Sequence, residues 1–233
     1  MRVAIYTLGC KVNQYETQAM EQELVRRGHT LVSFEETADA YIVNTCSVTA
    51  VSDKKSRQMI RRCRKLNENA VVAACGCYVQ THPDEAAGLE LDLIAGTGDR
   101  MAFLDLLEQA AHEKEPVTLL DDALRRRQFE VLPAGGMAER TRAMLKVEDG
   151  CVNFCTYCII PYARGPVRSL PLETAAEQTR QLRQEGYQEL VLTGIEISSW
   201  GHDLKDGSSF IDLLETVSEA AGNMRIRLGS LEP

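Results

Sequence analysis

No apolar run in the 233 residues approaches the ~18 needed to cross a bilayer, so no membrane span is expected. No secretory leader is expected either. MRVAIYTLGC superficially resembles a lipoprotein signal, but the nine residues before Cys10 are too few for a charged region plus an apolar core. That stretch reads as a first β-strand, and the protein as cytoplasmic. Histidine is scarce: His29, His82, His112 and His202 are the only four, and they share no ligand spacing. They read as ordinary surface or core residues. Positive charge is in deficit, and a formal net charge of -8 argues weakly, taken alone, against a nucleic-acid partner.

What is present points elsewhere. With 44% hydrophobic and 26% charged residues the chain is of globular type. It holds eight cysteines, which without a leader suggest metal or catalysis rather than disulfides. Three of them, Cys151, Cys155 and Cys158, fall within eight residues; Cys10, Cys46, Cys63, Cys75 and Cys77 are scattered. Basic residues are concentrated too. Lys54, Lys55, Arg57, Arg61, Arg62, Arg64 and Lys65 follow one another with no acid between them, and Arg125, Arg126 and Arg127 form a second run.

Strand and helix patterns alternate over residues 1–113, as in an open α/β sheet. VAIYTL, HTLVSF, DAYIVNT, AVVAAC and LDLIAG read as strands. Asn13-Gln14-Tyr15-Glu16 has the form of a capping box opening a helix that stops near Gly28. A basic helix is expected over about 52–66 and another over about 99–112. Residues 114–141 read as a connection, with Pro116, Pro133, Gly135 and Gly136 and one short strand near Thr118–Leu120. From 142 to 233 a second unit follows: strand AMLKVE, the cysteine loop, a helix over 172–185, strand ELVLTG, a helix over 209–221 and strand MRIRLGS. That order requires parallel strands with right-handed crossovers, but three strands are too few to close a barrel. The chain is therefore expected to be part of a longer protein, inactive by itself.

Iron–sulfur clusters are held by cysteine thiolates, usually four. A C-x3-C-x2-C loop supplies three and leaves one iron open to another ligand. The alternatives are structural zinc and buried thiols. Zinc prefers four closed ligands and often paired C-x2-C elements; here there is one such pair and no nearby histidine. Cys63, three residues from both Ile60 and Leu66 in the basic helix, has the spacing of a buried hydrophobe.

CVNFCTYCIIPYARG resembles the signature of the radical S-adenosylmethionine enzymes, and of the methylthiotransferases in particular. TLGCKVNQYET, VNTCSV, GCYVQ and LTGIEISSWG match further motifs in the family's order, over nearly the whole chain. RIRLGSLEP resembles the subgroup acting on threonylcarbamoyladenosine in transfer RNA. The implied fold is an open parallel-sheet methylthiotransferase domain followed by the first part of a radical S-adenosylmethionine partial (β/α) barrel. The implied cofactors are two 4Fe-4S clusters and S-adenosylmethionine, the latter both radical source and methyl donor.

The resemblance assigns one cluster to Cys151, Cys155 and Cys158, and the other to Cys10, Cys46 and Cys77. Cys10, Cys46 and the Cys75–Cys77 pair each follow an expected strand, and strand ends in an open α/β sheet converge on one crevice. Cys75 departs from the family pattern. By the same resemblance Tyr157 contacts the adenine of the cofactor, Thr193 and Gly194 hold its methionyl amino group, and Glu196 and Ser198 are neighbours. For Thr193-Gly194 an ordinary strand-ending turn is an equal alternative. The implied reaction places a methylthio group at C2 of an adenine next to the anticodon. Implied partners are the transfer-RNA anticodon loop and an electron donor such as flavodoxin or ferredoxin. Phosphates would meet the Lys54–Lys65 helix, Arg125–Arg127, Arg164 and Arg168, although the helix reads equally as a solvated face, and Arg164 and Arg168 as organisers of the cysteine loop. Three alternatives stay open: a ribosomal-protein substrate, an isopentenyladenosine substrate, and a non-catalytic zinc module.

Overall fold

The computed structural model describes residues 1–113, 115–135 and 141–231. The first unit runs β1 (Arg2–Thr7), α1 (Lys11–Arg26), β2 (Thr30–Leu31), β3 (Ala40–Thr45), α2 (Ala50–Leu66), β4 (Val71–Gly76), α3 (Cys77–Thr81), α4 (Pro83–Ala87), β5 (Leu93–Ala95), α5 (Arg100–Glu113) and β6 (Val117–Leu119). Its strands pair in the order β2-β1-β3-β4-β5-β6, all parallel. β3 is apolar on both faces because both are covered. Tyr41 and Val43 meet Ile60 of α2 on one side. Ala40 and Ile42 meet Met20 and Leu24 of α1 on the other. β6 pairs with β5, so part of the segment expected as a connection belongs to this sheet.

The second unit contains β7 (Arg142–Lys146), β8 (Glu148–Asp149), α6 (Ile160–Arg164), β9 (Arg168–Ser169), α7 (Leu172–Gln184), β10 (Glu189–Thr193), α8 (Phe210–Ala221) and β11 (Arg225–Leu228). β11, β10 and β7 form the expected parallel sheet, with β10 in the centre. Ser209 opens α8 with a capping box: its hydroxyl accepts from the Asp212 amide while the Asp212 carboxylate accepts from the Ser209 amide. A two-residue antiparallel ribbon, β8 with β9, closes the base of the cysteine loop; the hydrophobic pattern gave no sign of it.

The two units share a core. Tyr15 and Ala19 of α1 pack with Leu145, Leu182, Leu190 and Leu192 of the second unit. Each leucine buried there contributes roughly 1.5–3 kcal/mol. The Tyr15 hydroxyl donates to the Leu132 carbonyl at 2.9 Å, and Thr97 Oγ1 donates to the Ala163 carbonyl at 2.6 Å.

Two local expectations need correction. The capping box at Asn13–Glu16 does not exist: α1 begins at Lys11 behind Cys10, with no side-chain cap. Asn13 and Glu16 are both buried inside the helix and bind elsewhere in the structure. HTLVSF forms only the short β2, because the chain turns at Ser33, whose carbonyl accepts from the Glu36 amide at 2.9 Å. Phe34 then folds against the rings of Tyr6 and Tyr41.

Candidate metal centre

Register brings the first three cysteines together. Thr7 pairs with Asn44, and Thr45 with Gly76, so neighbouring strands β1, β3 and β4 end on one edge. Cys10, Cys46 and Cys77 follow those ends. The Cys10 loop lies directly on Cys46: a Cβ placed on Gly9 would stand 3.0 Å from Cys46 Sγ. Gly76 has φ +100°, and a Cβ there would stand 2.5 Å from the Thr45 carbonyl oxygen. Only glycine makes that turn from β4 into Cys77. Cys10 is exposed at the N-terminus of α1; Cys46 and Cys77 are buried. Burial pushes the Cys77 thiol up to about 11, Arg164 opposes this, and Cys10 and Cys46 add to it. The three thiols thus lie within electrostatic reach of one another.

Cys75 and Cys63 are placed differently. Cys75 points into the apolar layer of Val3, Leu24, Ile42 and Phe103, where burial raises its thiol to about 11. Cys63 packs with Ile60 and Val72, donates to the Met59 carbonyl at 3.3 Å and is raised by burial to about 12. Both are small hydrophobes in the core.

The second triad lies on the loop between β8 and α6. The Cys151 amide donates to the Gly165 carbonyl at 3.0 Å, and the Cys158 amide to the Cys155 carbonyl at 2.9 Å, a tight turn. Phe154 takes φ 45°, a left-handed conformation uncommon for a side chain of its size. Cys155 is exposed, as are Val152 and Phe154, and Tyr157 is 88% exposed. The loop therefore presents the Cys155 thiol and apolar side chains outward together, with Cys151 and Cys158 half-buried. Burial raises the Cys151 thiol, with smaller contributions from Glu148, Cys158 and Glu196.

Those glutamates belong to a polar group at the end of β10. Thr193 is fully buried, and its Oγ1 has no hydrogen-bond partner. Gly194 lies against the Glu148 side chain. Glu196 caps a 3-10 turn over Ile197–Ser199, accepting from the Ser198 amide at 3.1 Å, the Ser198 hydroxyl at 2.5 Å and the Ser199 hydroxyl at 2.7 Å. Glu148 Oε2 accepts from the Ile195 and Glu196 amides at 2.8 Å, while Oε1 is buried without a partner. Burial raises the Glu148 carboxyl to about 9, with Asp149 adding to the shift. Thr193 Oγ1 and Glu148 Oε1 are thus two orphaned buried oxygens at the end of β10 that a polar ligand would satisfy.

Between the triads runs a buried ion network that the sequence reading missed. Glu16 of α1 pairs with Arg100 at 2.8 Å, Arg164 at 2.8 Å and Lys146 at 3.3 Å, every side chain fully buried. Asp149 pairs with Arg164 at 3.1 Å, Lys146 at 3.2 Å and Arg168 at 3.2 Å. Burial alone would raise the Glu16 carboxyl, but Arg100, Arg164 and Lys146 hold it below the usual carboxylate range. Asp149 is held down in the same way by Lys146, Arg164 and Arg168. The readable signals were Lys146 within an apolar strand and an acid on the apolar face of α1. Burial removes Arg164 and Arg168 from the residues that could reach phosphates. In the basic helix Arg57, Arg62 and Arg64 pair with Glu85, Glu35 and Asp92, whereas Lys54, Lys55, Arg61 and Lys65 are exposed. Arg125 pairs with Asp122 and is largely exposed, and Arg126 pairs with Asp121.

Each triad can hold an iron–sulfur cluster by its donor chemistry: soft thiol ligands, three to a site, on loops beside buried positive charge. Among the described residues no three His, Cys, Asp or Glu side chains close around a single metal ion. A cuboidal cluster spaces its ligating sulfurs more widely than one ion does. No helix among the described residues is long and apolar enough to cross a membrane.

Residues 2–96 match the profile of uncharacterized protein family UPF0004, and residues 145–230 that of the radical SAM superfamily. The chain is 44% identical to the threonylcarbamoyladenosine tRNA methylthiotransferase MtaB of Bacillus subtilis, over 99% of its own length and 51% of the relative's. It is 39% identical to the enzyme of that name from Aquifex aeolicus, covering 99% of the chain and 56% of the relative. To the tRNA-2-methylthio-N(6)-dimethylallyladenosine synthase of Thermotoga petrophila it is 36% identical, covering 97% and 51%. The chain thus spans about half the length of the curated relatives it matches. In fold it is similar to TsrM, a radical S-adenosylmethionine methyltransferase from Kitasatospora setae solved with cobalamin and a 4Fe-4S cluster. The TM-score is 0.54 at 16% identity, covering 98% of this chain and 60% of that one.

Proposed function

This chain belongs to the radical S-adenosylmethionine methylthiotransferases, and on that premise we propose that the whole protein adds a methylthio group at C2 of threonylcarbamoyladenosine next to the anticodon of transfer RNA. The observation that carries the proposal is the meeting of β1, β3 and β4 ends at Cys10, Cys46 and Cys77, joined through buried charge to the loop of Cys151, Cys155 and Cys158. Two triads match a reaction with two tasks, making a radical and supplying sulfur. When bound, two 4Fe-4S clusters and S-adenosylmethionine supply the radical, the sulfur and the methyl group, chemistry no side chain provides.

The residues then have defined work. Cys151, Cys155 and Cys158 hold one cluster and Cys10, Cys46 and Cys77 the other. Thr193, Gly194, Glu196 and Ser198 line the polar end of the S-adenosylmethionine site, and Tyr157 offers an exposed ring to an adenine. Phe154 and Val152, exposed on the same loop, give a splayed-out base an apolar surface. Lys54, Lys55, Arg61 and Lys65 are available for phosphates. The electron comes from a donor such as flavodoxin or ferredoxin, and the site of action is the cytoplasm.

The test is turnover by the anaerobically reconstituted full-length protein, offered transfer RNA bearing threonylcarbamoyladenosine, transfer RNA bearing isopentenyladenosine, and ribosomal protein. Nucleoside mass spectrometry is expected to show the methylthio product on the first. Product on the ribosomal protein alone would overturn the RNA reading.

A further inference from the structure

We propose that Asn13 and Arg164 form a clasp through which the radical-forming unit positions the first thiol triad and sets its charge environment. Asn13 fixes the loops and Arg164 supplies the cation. This rests on the reading that Cys10, Cys46 and Cys77 hold a cluster.

Asn13 sits in the first turn of α1, and its side-chain amide is fully committed. Nδ2 donates to the Leu8 carbonyl at 2.9 Å and to the Thr45 carbonyl at 2.9 Å. Those carbonyls stand two residues before Cys10 and one before Cys46, so one amide ties together the loops that carry two ligands. Oδ1 accepts from Cys10 Sγ at 3.6 Å and from Arg164 Nη2 at 2.9 Å. With both donors used on carbonyls and the acceptor on the Arg164 guanidinium, no other orientation of the amide satisfies these partners, and these three bonds persist when Cys10 gives up its proton to bind iron. Arg164 ends α6, which begins two residues after Cys158. Its Nη1 donates to Glu16 at 2.8 Å and to Asp149 at 3.1 Å, and Asp149 lies two residues before Cys151. One guanidinium therefore touches the frame of both triads.

The charge count points the same way. Arg100, Lys146, Arg164 and Arg168 face Glu16 and Asp149 as the fully or nearly buried charges of this network. Glu130 adds a third carboxyl at the margin, which burial biases toward its neutral form. Four cations against two or three acids leave a buried positive excess, costly unless an anion meets it. Of the first triad, Cys77 is the acid that Arg164 faces beyond the network, and it carries a charge once it binds iron as thiolate. A cation held there favours the more negative, reduced state of whatever those thiolates bind, and so raises its potential.

The experiment uses the full-length protein with Cys151, Cys155 and Cys158 changed to Ala, so that the first triad alone takes up iron. Its redox titration is followed by electron paramagnetic resonance. Arg164→Gln is expected to lower the reduced-to-oxidised ratio at fixed potential at least tenfold, a negative shift of about 59 mV for a one-electron couple. Arg164→Lys, which keeps the charge, is expected to restore most of the parent potential. Asn13→Ser is expected to speed chelator stripping of the iron at least tenfold. If Arg164→Gln assembles no cluster, the other two variants decide: parent-like stripping in Asn13→Ser refutes the clasp. So does an assembled cluster of unchanged potential in Arg164→Gln. A triad-only parent that takes up no iron refutes the two-cluster reading, and the clasp with it.

Discussion

Glu16→Gln tests whether the buried network holds the two units together. Glu16 meets three cations, Arg100 and Arg164 at 2.8 Å and Lys146 at 3.3 Å, with none of the side chains exposed. Gln keeps the shape and one acceptor but removes the charge. Lys146 and Arg164 retain Asp149; the Arg100 guanidinium is left with the Gly96 carbonyl. Breaking a buried pair from one side costs about 3–5 kcal/mol. With a urea slope of roughly 2–3 kcal/mol per molar, the midpoint of the metal-free full-length protein should fall by about 1–2.5 M. The sign with pH follows from the depressed Glu16 pKa. Its contribution is present above the ordinary carboxylate pKa and declines as pH falls toward the folded value. The gap between parent and variant should therefore shrink below about pH 4.5, by about 1.4 kcal/mol per pH unit. Glu36→Gln, which breaks the exposed Arg2–Glu36 pair, is the control and should cost less than about 1 kcal/mol. A Glu16→Gln loss no larger than the control's, or a gap that does not change with pH, would refute the reasoning.

Other perturbations test separate parts of the site. Glu148 has a carboxyl raised to about 9, so the parent loses stability as pH rises from the ordinary carboxylate value toward that pKa, by at most about 1.4 kcal/mol per unit. Glu148→Gln should lack that slope in urea titrations of the metal-free protein, and parallel pH profiles would contradict the assignment. Gly76→Ala forces φ +100° on alanine and drives a Cβ to 2.5 Å from the Thr45 carbonyl. A loss of about 2–4 kcal/mol is expected, together with reduced iron at the first triad; a parent-like melt would show that the turn relaxes freely. Cys63→Ala and Cys75→Ala should keep full iron at a stability cost of roughly 1 kcal/mol. Iron lost from either variant while its fold persists would move that residue into the ligand set.

The strands were readable because a parallel sheet covered on both faces writes itself as short apolar runs, as DAYIVNT and ELVLTG do. Convergence at the sheet edge followed from topology: parallel strands that end in register deliver Cys10, Cys46 and Cys77 to one place. The start of α1 was misread because Asn13 and Glu16 carry residue types that also serve as caps. Their real partners, Thr45, Arg100, Lys146 and Arg164, are distant in sequence. Local pattern cannot separate a cap from a buried polar contact whose other half lies some 30 to 150 residues away. Arg164 and Arg168 stood as candidates either for phosphate contact or for organising the cysteine loop; the partners that bury them, Glu16 and Asp149, are not legible in the local pattern. Glu148 escaped notice because its burial depends on β8, an element too short to leave a pattern.

The central claim is that the two cysteine triads each carry a four-iron cluster. Its most direct test is iron and acid-labile sulfide analysis of the anaerobically reconstituted full-length protein, beside the variant with Cys151, Cys155 and Cys158 changed to Ala. The account predicts about eight irons with matching sulfide in the parent and about four in the variant. About four in the parent and none in the variant, or zinc in place of iron, would contradict it.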